Sequence, residues 1–301
     1  MSSDPPPYES ICGHQHQIND LNRQESSRNY YRASEERMLD FQKMIRRHEI
    51  NKDFATKLRS LEGYEIVFIC DDSSSMINPI GEITDPFASL PTRWDELKKI
   101  VSIVVDLASP LDPDGVDIYF LNRDPIFHVR SSTELANIFM VHPSGSTPIV
   151  PVLRRVLRDK HQQINERKLL ILLATDGVPT DNHERPDINT LKQVLTRERI
   201  PVDRVPVTII ACTDDKYCMD YLNDWDKIIP NLDVVQDYRR EKKQILACQG
   251  KGFPFSFGDY IVKILMGGVD SWFDDLDRTR VSAADIHRTG PVFVRPGLQR
   301  K

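Results

Sequence analysis

Three short stretches of this chain carry residue types that can chelate a hard cation. In the first, Asp71, Ser73 and Ser75 alternate in the segment that follows the apolar run Glu65-Ile66-Val67-Phe68-Ile69-Cys70. Alternating residues in a tight loop can aim three oxygens at one point, a donor set suited to a hard metal ion. In the second, Ser144-Gly145-Ser146-Thr147-Pro148 offers hydroxyls in a loop shaped by Gly and Pro, ahead of a helical pattern. In the third, Leu169 to Ala174 reads as a buried strand, and Thr175-Asp176-Gly177 ends it in an acid. A D-x-S-x-S pattern alone arises readily by chance; it gains weight from the two loops that follow it.

Taken together and in this order, the three loops resemble the metal-ion-dependent adhesion site of a von Willebrand factor A domain. The resemblance runs roughly from Gly63 to Asp275. It implies that Ser73, Ser75 and Thr147 bind Mg²⁺ (or Mn²⁺) directly, and that Asp71 and Asp176 hold it directly or through water. It further implies a binding module rather than an enzyme, in which a partner protein supplies an Asp or Glu to the metal. The chain departs from the family at Ser74, usually Gly, and at Asp72, often a hydroxyl. Neither position donates to the metal in the family pattern, so the site is expected to survive. The added charge at Asp72 bears on which ligands are accepted.

The elements that must position these loops can be read from periodicity. Apolar strand-like runs at Glu65–Cys70, Val116–Leu121, Leu169–Thr175, Val205–Cys212 and Asn231–Val235 alternate with helical patterns. Thr92 caps a helix over Arg93–Ala108; Val150, Leu153, Leu157 and Ile164 line the next; Leu191, Val194 and Leu195 mark another. Helices are also predicted from Ser131 to near Val141, after Thr213 (with Tyr217, Tyr221, Leu222 and Trp225), over Tyr238–Cys248, and over Tyr260–Met266 behind a Ser256–Asp259 capping box. Pro125–Val129 begins with Pro, as an edge strand does. The predicted fold is therefore α/β: a Rossmann-like, doubly wound, mostly parallel six-stranded sheet with helices on both faces and one short antiparallel edge strand. In such sheets ligands bind beyond the carboxyl ends of the strands, where Asp71 and Asp176 fall.

Four regions follow. Residues 1–32 form a Pro/Ser/Gln-rich tail too polar to order itself, and 33–62 a helical extension with Met38, Phe41, Ile45, Ile50, Phe54, Leu58 and Leu61 at helical spacing. Residues 63–276 are the metal-site domain and 277–301 a basic flexible tail. In the first tail, Pro5-Pro6-Pro7-Tyr8 matches the P-P-x-Y ligand of WW domains, which would make the protein an adaptor. Cys12, His14 and His16 lack the second half of a zinc site.

A net charge of −5 argues against a nucleic-acid partner. The 5 cysteines are odd in number, and Cys70 and Cys212 lie within strand-like runs, which reads as reduced thiols in a cytoplasmic protein. Neither a secretory leader nor a run able to span or insert into a membrane is legible. No Walker loop or dinucleotide fingerprint appears. The alternatives are a metal-dependent, phosphatase-like hydrolase with Asp71 as nucleophile, weakened because Ser73 stands where such enzymes have a second acid, or a scaffold that leaves the site unused. Asp181, His183, Glu184 and Asp187 read as an irregular polar loop rather than a second cation site.

Overall fold

The computed structural model describes residues 36–81, 90–112, 114–215, 219–222 and 224–280. The N-terminal tail with Pro5, Pro6, Pro7 and Tyr8, the Cys12/His14/His16 group and most of the basic C-terminal tail lie outside them. The chain divides into two units, residues 1–43 and 44–301. Described residues of the first are helical, part of α1 (36–47).

The second unit is built on six strands: β1 (Glu65–Cys70), β2 (Val116–Phe120), β3 (Ile126–Val129), β4 (Leu169–Thr175), β5 (Val207–Ala211) and β6 (Leu232–Val235). They form one sheet in the order β3-β2-β1-β4-β5-β6. All neighbours pair in parallel except β2 and β3. The predicted α/β architecture, its strand count and its antiparallel edge strand are therefore present. β1, β2, β4 and β5 are buried at every position, as strands covered on both faces must be.

Helices supply that cover: α2 (Lys52–Leu58), α3 (Arg93–Ala108), α4 (Ile149–Asp159), α5 (His161–Glu166), α6 (Ile188–Gln193), α7 (Trp225–Ile228), α8 (Tyr238–Gln249), α9 (Phe257–Met266) and α10 (Ser271–Asp274). On one face, Val67 and Ile69 of β1 and Ile171 and Leu173 of β4 pack with Leu153 and Val156 of α4 and Leu191 of α6. Alternate residues point to the opposite face, where α3 touches β1 and α9 touches β4 and β5. The Thr92 cap is in place: its hydroxyl accepts from Asp95 N at 3.1 Å while the Asp95 carboxylate accepts from Thr92 N at 2.9 Å. Ser256 and Asp259 form the same reciprocal pair at the start of α9.

Two predicted helices are shorter than their patterns. The one starting at Ser131 is a 3₁₀ turn, Ser132–Leu135, closed by Glu134 accepting from Ser131 N at 2.9 Å, and turns follow it. Thr213 does not cap a long helix: its hydroxyl accepts from Asp215 N, Asp220–Leu222 is a 3₁₀ turn, and α7 begins only after Asp224. Asp224 has φ +77°, a left-handed backbone that no helix passes through. Among the described residues, no helix is long and apolar enough to cross a membrane.

Candidate metal centre

β1 and β4 lie side by side, with Cys70 opposite Ala174. The sheet order reverses between them, since β2 and β3 extend to one side and β5 and β6 to the other. Where order reverses, the connections leave in opposite directions and open a crevice at the carboxyl ends of the strands. Asp71 is the first residue beyond β1 and Asp176 the first beyond β4. The two acids reach one place because two parallel strands in register end together.

From there the side chains connect. Asp71 Oδ1 accepts from Ser73 N at 2.9 Å, and Asp71 Oδ2 from the Thr175 hydroxyl at 2.6 Å. Ser73 Oγ and Ser75 Oγ are 3.1 Å apart. Ser75 Oγ donates to Asp176 Oδ1 at 2.8 Å, and Arg93 Nη1 to Asp176 Oδ2 at 2.7 Å. Ser73 is the residue before a 3₁₀ turn, Ser74–Ile77, and this turn brings Ser75 back beside Ser73. Four of the five sequence-predicted residues thus form one continuous set of contacts.

Thr147 belongs to a loop stitched to both of these strand ends. Ser144 N donates to Asp72 O at 2.7 Å and Ser74 N to Gly145 O at 3.1 Å. On the other side Thr147 N donates to Thr180 Oγ1 at 3.1 Å, and Thr180 N to Thr147 O at 2.9 Å. The backbone of Gly145 has φ +105°, and a Cβ there would stand 2.4 Å from Asn122 Oδ1, so the loop needs glycine at this point.

Asp72, next along the chain, is also buried and is held differently. Its Oδ1 accepts from Asn122 N and Nδ2 at 2.8 and 3.1 Å, and Arg123 Nε lies 2.9 Å from Oδ2. Arg123 also donates to the carbonyls of Ile138, Val141 and His142, so Asp72 ties the β2 end to the loop that leads to Thr147. Asp72 is therefore a structural knot here rather than a charge facing solvent.

Three carboxylates, Asp71, Asp72 and Asp176, are each at most 1% exposed. Two guanidinium groups, Arg93 and Arg123, pair with them. Burial pushes the Asp71 carboxyl up to about 6, the charge of Asp176 adds to this, and the bonds from Ser73 and Thr175 oppose it. Burial likewise raises Asp72, against Asn122 and Arg123. The centre is short of positive charge.

Every donor in the set is oxygen. Among the described residues no group of three or more His, Cys, Asp or Glu is placed to hold a metal. Hydroxyls beside buried carboxylates fit a small hard dication, whose charge would meet the deficit. The Asp181 loop closes on itself: its carboxylate accepts from His183 N and from Arg185 N and Nε.

Four contributors to the centre are not legible as such in the sequence. Thr175 ends the β4 pattern in sequence, yet its hydroxyl beside the terminal acid partners Asp71 on the adjacent strand. Asn122 and Arg123 likewise follow the end of β2 and hold Asp72. Arg93 carries no local signal; its backbone N donates to Asn78 O at 3.0 Å, a contact made across the intervening loop.

No family model matches this chain, and no curated protein matches it. Among solved structures, the D319A mutant of the PilB minor pilin from Streptococcus sanguinis is similar over 71% of this chain, at 12% identity and a TM-score of 0.46. The manganese-loaded TRAP protein of Plasmodium vivax is similar over 60% of this chain, at 15% identity and a TM-score of 0.38. The match spans 62% of the pilin chain and 72% of the TRAP chain.

Proposed function

We propose that the protein is a divalent-cation-dependent protein-binding module of the von Willebrand factor A type. In this reading Mg²⁺ or Mn²⁺ sits among Asp71, Ser73, Ser75, Thr147 and Asp176, and an Asp or Glu of a partner protein completes its shell. The observation that carries it is the run of contacts from Asp71 through Ser73 and Ser75 to Asp176 at the reversal of the sheet. Bound there, the cation would supply an electron-poor ligand position. The chain's own residues hold the acids apart from solvent and keep the hydroxyl pair together.

The placement of Asp71 speaks against the hydrolase alternative. A nucleophile must reach its substrate, whereas both Asp71 oxygens are engaged and the residue is fully buried. Cys70, Cys212 and Cys248 are free, and Cys70 and Cys212 are buried, which supports residence in a reducing compartment such as the cytoplasm. The Pro5-Pro6-Pro7-Tyr8 segment would add a second, metal-independent contact to a WW protein, making the molecule an adaptor.

Calorimetric titration of MgCl₂ and MnCl₂ into the full chain tests the metal reading. Heat of binding is expected for the wild type and its loss for Thr147→Ala; identical heats would overturn it. Affinity purification with and without EDTA then separates partners held by the metal from those held by Tyr8, which Tyr8→Ala removes.

A further inference from the structure

The geometry points to Arg93 as a resident counter-ion of this centre, a positioning residue whose charge occupies Asp176 and sets how tightly a divalent cation is held. The inference rests on the cation reading given above and deepens it.

Arg93 reaches the centre from the start of α3, on the far side of the loop that follows Ser75. Its Nη1 donates to Asp176 Oδ2 at 2.7 Å, and the ion pair is shielded: the Arg93 side chain is 11% exposed and that of Asp176 0%. Ser75 takes the other oxygen of Asp176. Both oxygens of one acid in the set are therefore satisfied from within the protein. Such an arrangement neutralises a buried carboxylate that would otherwise be costly to hold beside Asp71. It also places a fixed positive charge within reach of any cation that settles among Ser73, Ser75 and Asp71.

The anchoring of Arg93 is slight for a buried guanidinium. Of its five N–H donors, only Nη1 has a partner among the described residues, and Nε is buried without one. Arg123, by contrast, pairs with Asp72 and donates to three carbonyls. Arg123 is built into the fold; Arg93 is held mainly by the charge it meets. A dication that claims Asp176 competes with Arg93 for the same oxygens, and like charges at this depth are poorly screened.

The chemistry is an exchange of one positive charge for another at Asp176, with no bond made or broken. Wild-type affinity for Mg²⁺ and Mn²⁺ is set below what five oxygen donors would give alone. In the cation-free form Arg93 keeps Asp176 compensated.

The test is titration of MnCl₂ and MgCl₂ into the full chain, for the wild type, Arg93→Gln and Arg93→Lys. Glutamine keeps a hydrogen-bond donor for Asp176 without the charge; lysine keeps the charge. Arg93→Gln is expected to bind Mn²⁺ tighter by about one to two orders of magnitude, and Arg93→Lys to stay close to wild type. Thermal unfolding gives the second reading. Without cation, Arg93→Gln melts below wild type, and saturating Mn²⁺ closes or reverses the gap. A residue that merely shaped the loop would weaken binding when replaced by either side chain. Equal or weaker Mn²⁺ binding by Arg93→Gln overturns the inference and leaves the metal centre standing. If no variant and not the wild type takes up either cation, the metal reading falls and this inference with it.

Discussion

Thr175 and Asp71 sit at the ends of adjacent parallel strands, and the hydroxyl of one donates to the carboxylate of the other at 2.6 Å, with both residues fully buried. The bond joins the two halves of the centre before any ligand arrives. A short bond to a buried charge is among the stronger kinds a protein makes. Thr175→Val keeps the shape and removes the donor, leaving Asp71 with Ser73 N alone among those two partners. Urea denaturation of cation-free protein should show a loss of about 1–3 kcal/mol.

Gly145 controls the placement of Thr147. Its φ of +105° and the 2.4 Å approach of a Cβ to Asn122 Oδ1 leave no room for a side chain. Gly145→Ala should move the loop, cost about 1–3 kcal/mol in stability and abolish cation binding as fully as Thr147→Ala. Calorimetry beside a denaturation curve checks both halves. A stable variant with wild-type binding would contradict the role given to this loop.

Arg199 offers a contrast far from the centre. It is fully buried, faces no acid among the described residues, and donates to the carbonyls of Leu195, Val205, Pro230 and Asn231. Burial alone brings its guanidinium down to about 10. Arg199→Met would leave these carbonyls without their donor, and Arg199→Lys cannot span them with one ammonium. Each should lower stability by about 3 kcal/mol or more while leaving Mn²⁺ affinity unchanged in the folded fraction.

Glu241 governs a pH dependence. Burial pushes its carboxyl up to about 7, opposed by Lys263 and supported by the charges of Asp277 and Asp233. The folded protein therefore holds this proton up to about pH 7, whereas the unfolded chain releases it near 4.5. Between those values the folded state binds more protons, so stability falls as pH rises and levels off above the window. Glu241→Gln removes this titration. The stability of wild type relative to the variant should fall by about 2–3 kcal/mol from pH 4.5 to 7.5, measured by chemical denaturation at each pH.

Much of the fold was legible because strand and helix carry their periods in the chain. Glu65–Cys70 and Leu169–Thr175 are uninterrupted apolar runs, and Arg93–Ala108 starts at a capping residue the sequence spells out. The acids that end the two runs then had to fall at the same edge of a parallel sheet. The loops between them were harder to read. The pattern after Thr213 has helical spacing, yet a left-handed Asp224 breaks it, a backbone choice that apolar spacing does not report. Arg93 and Arg123 look like ordinary surface charges in sequence. Only the closure of distant loops turns them inward onto Asp176 and Asp72.

The two outer strands, β3 and β6, have four residues each, and β3 is kinked by His128 at φ +59°. A ladder so brief and bent gives a neighbouring chain little backbone to zip onto. Fibre-like growth through the flanks of the sheet is thereby discouraged. A chain approaching either flank of the sheet would meet side chains rather than an open row of backbone groups.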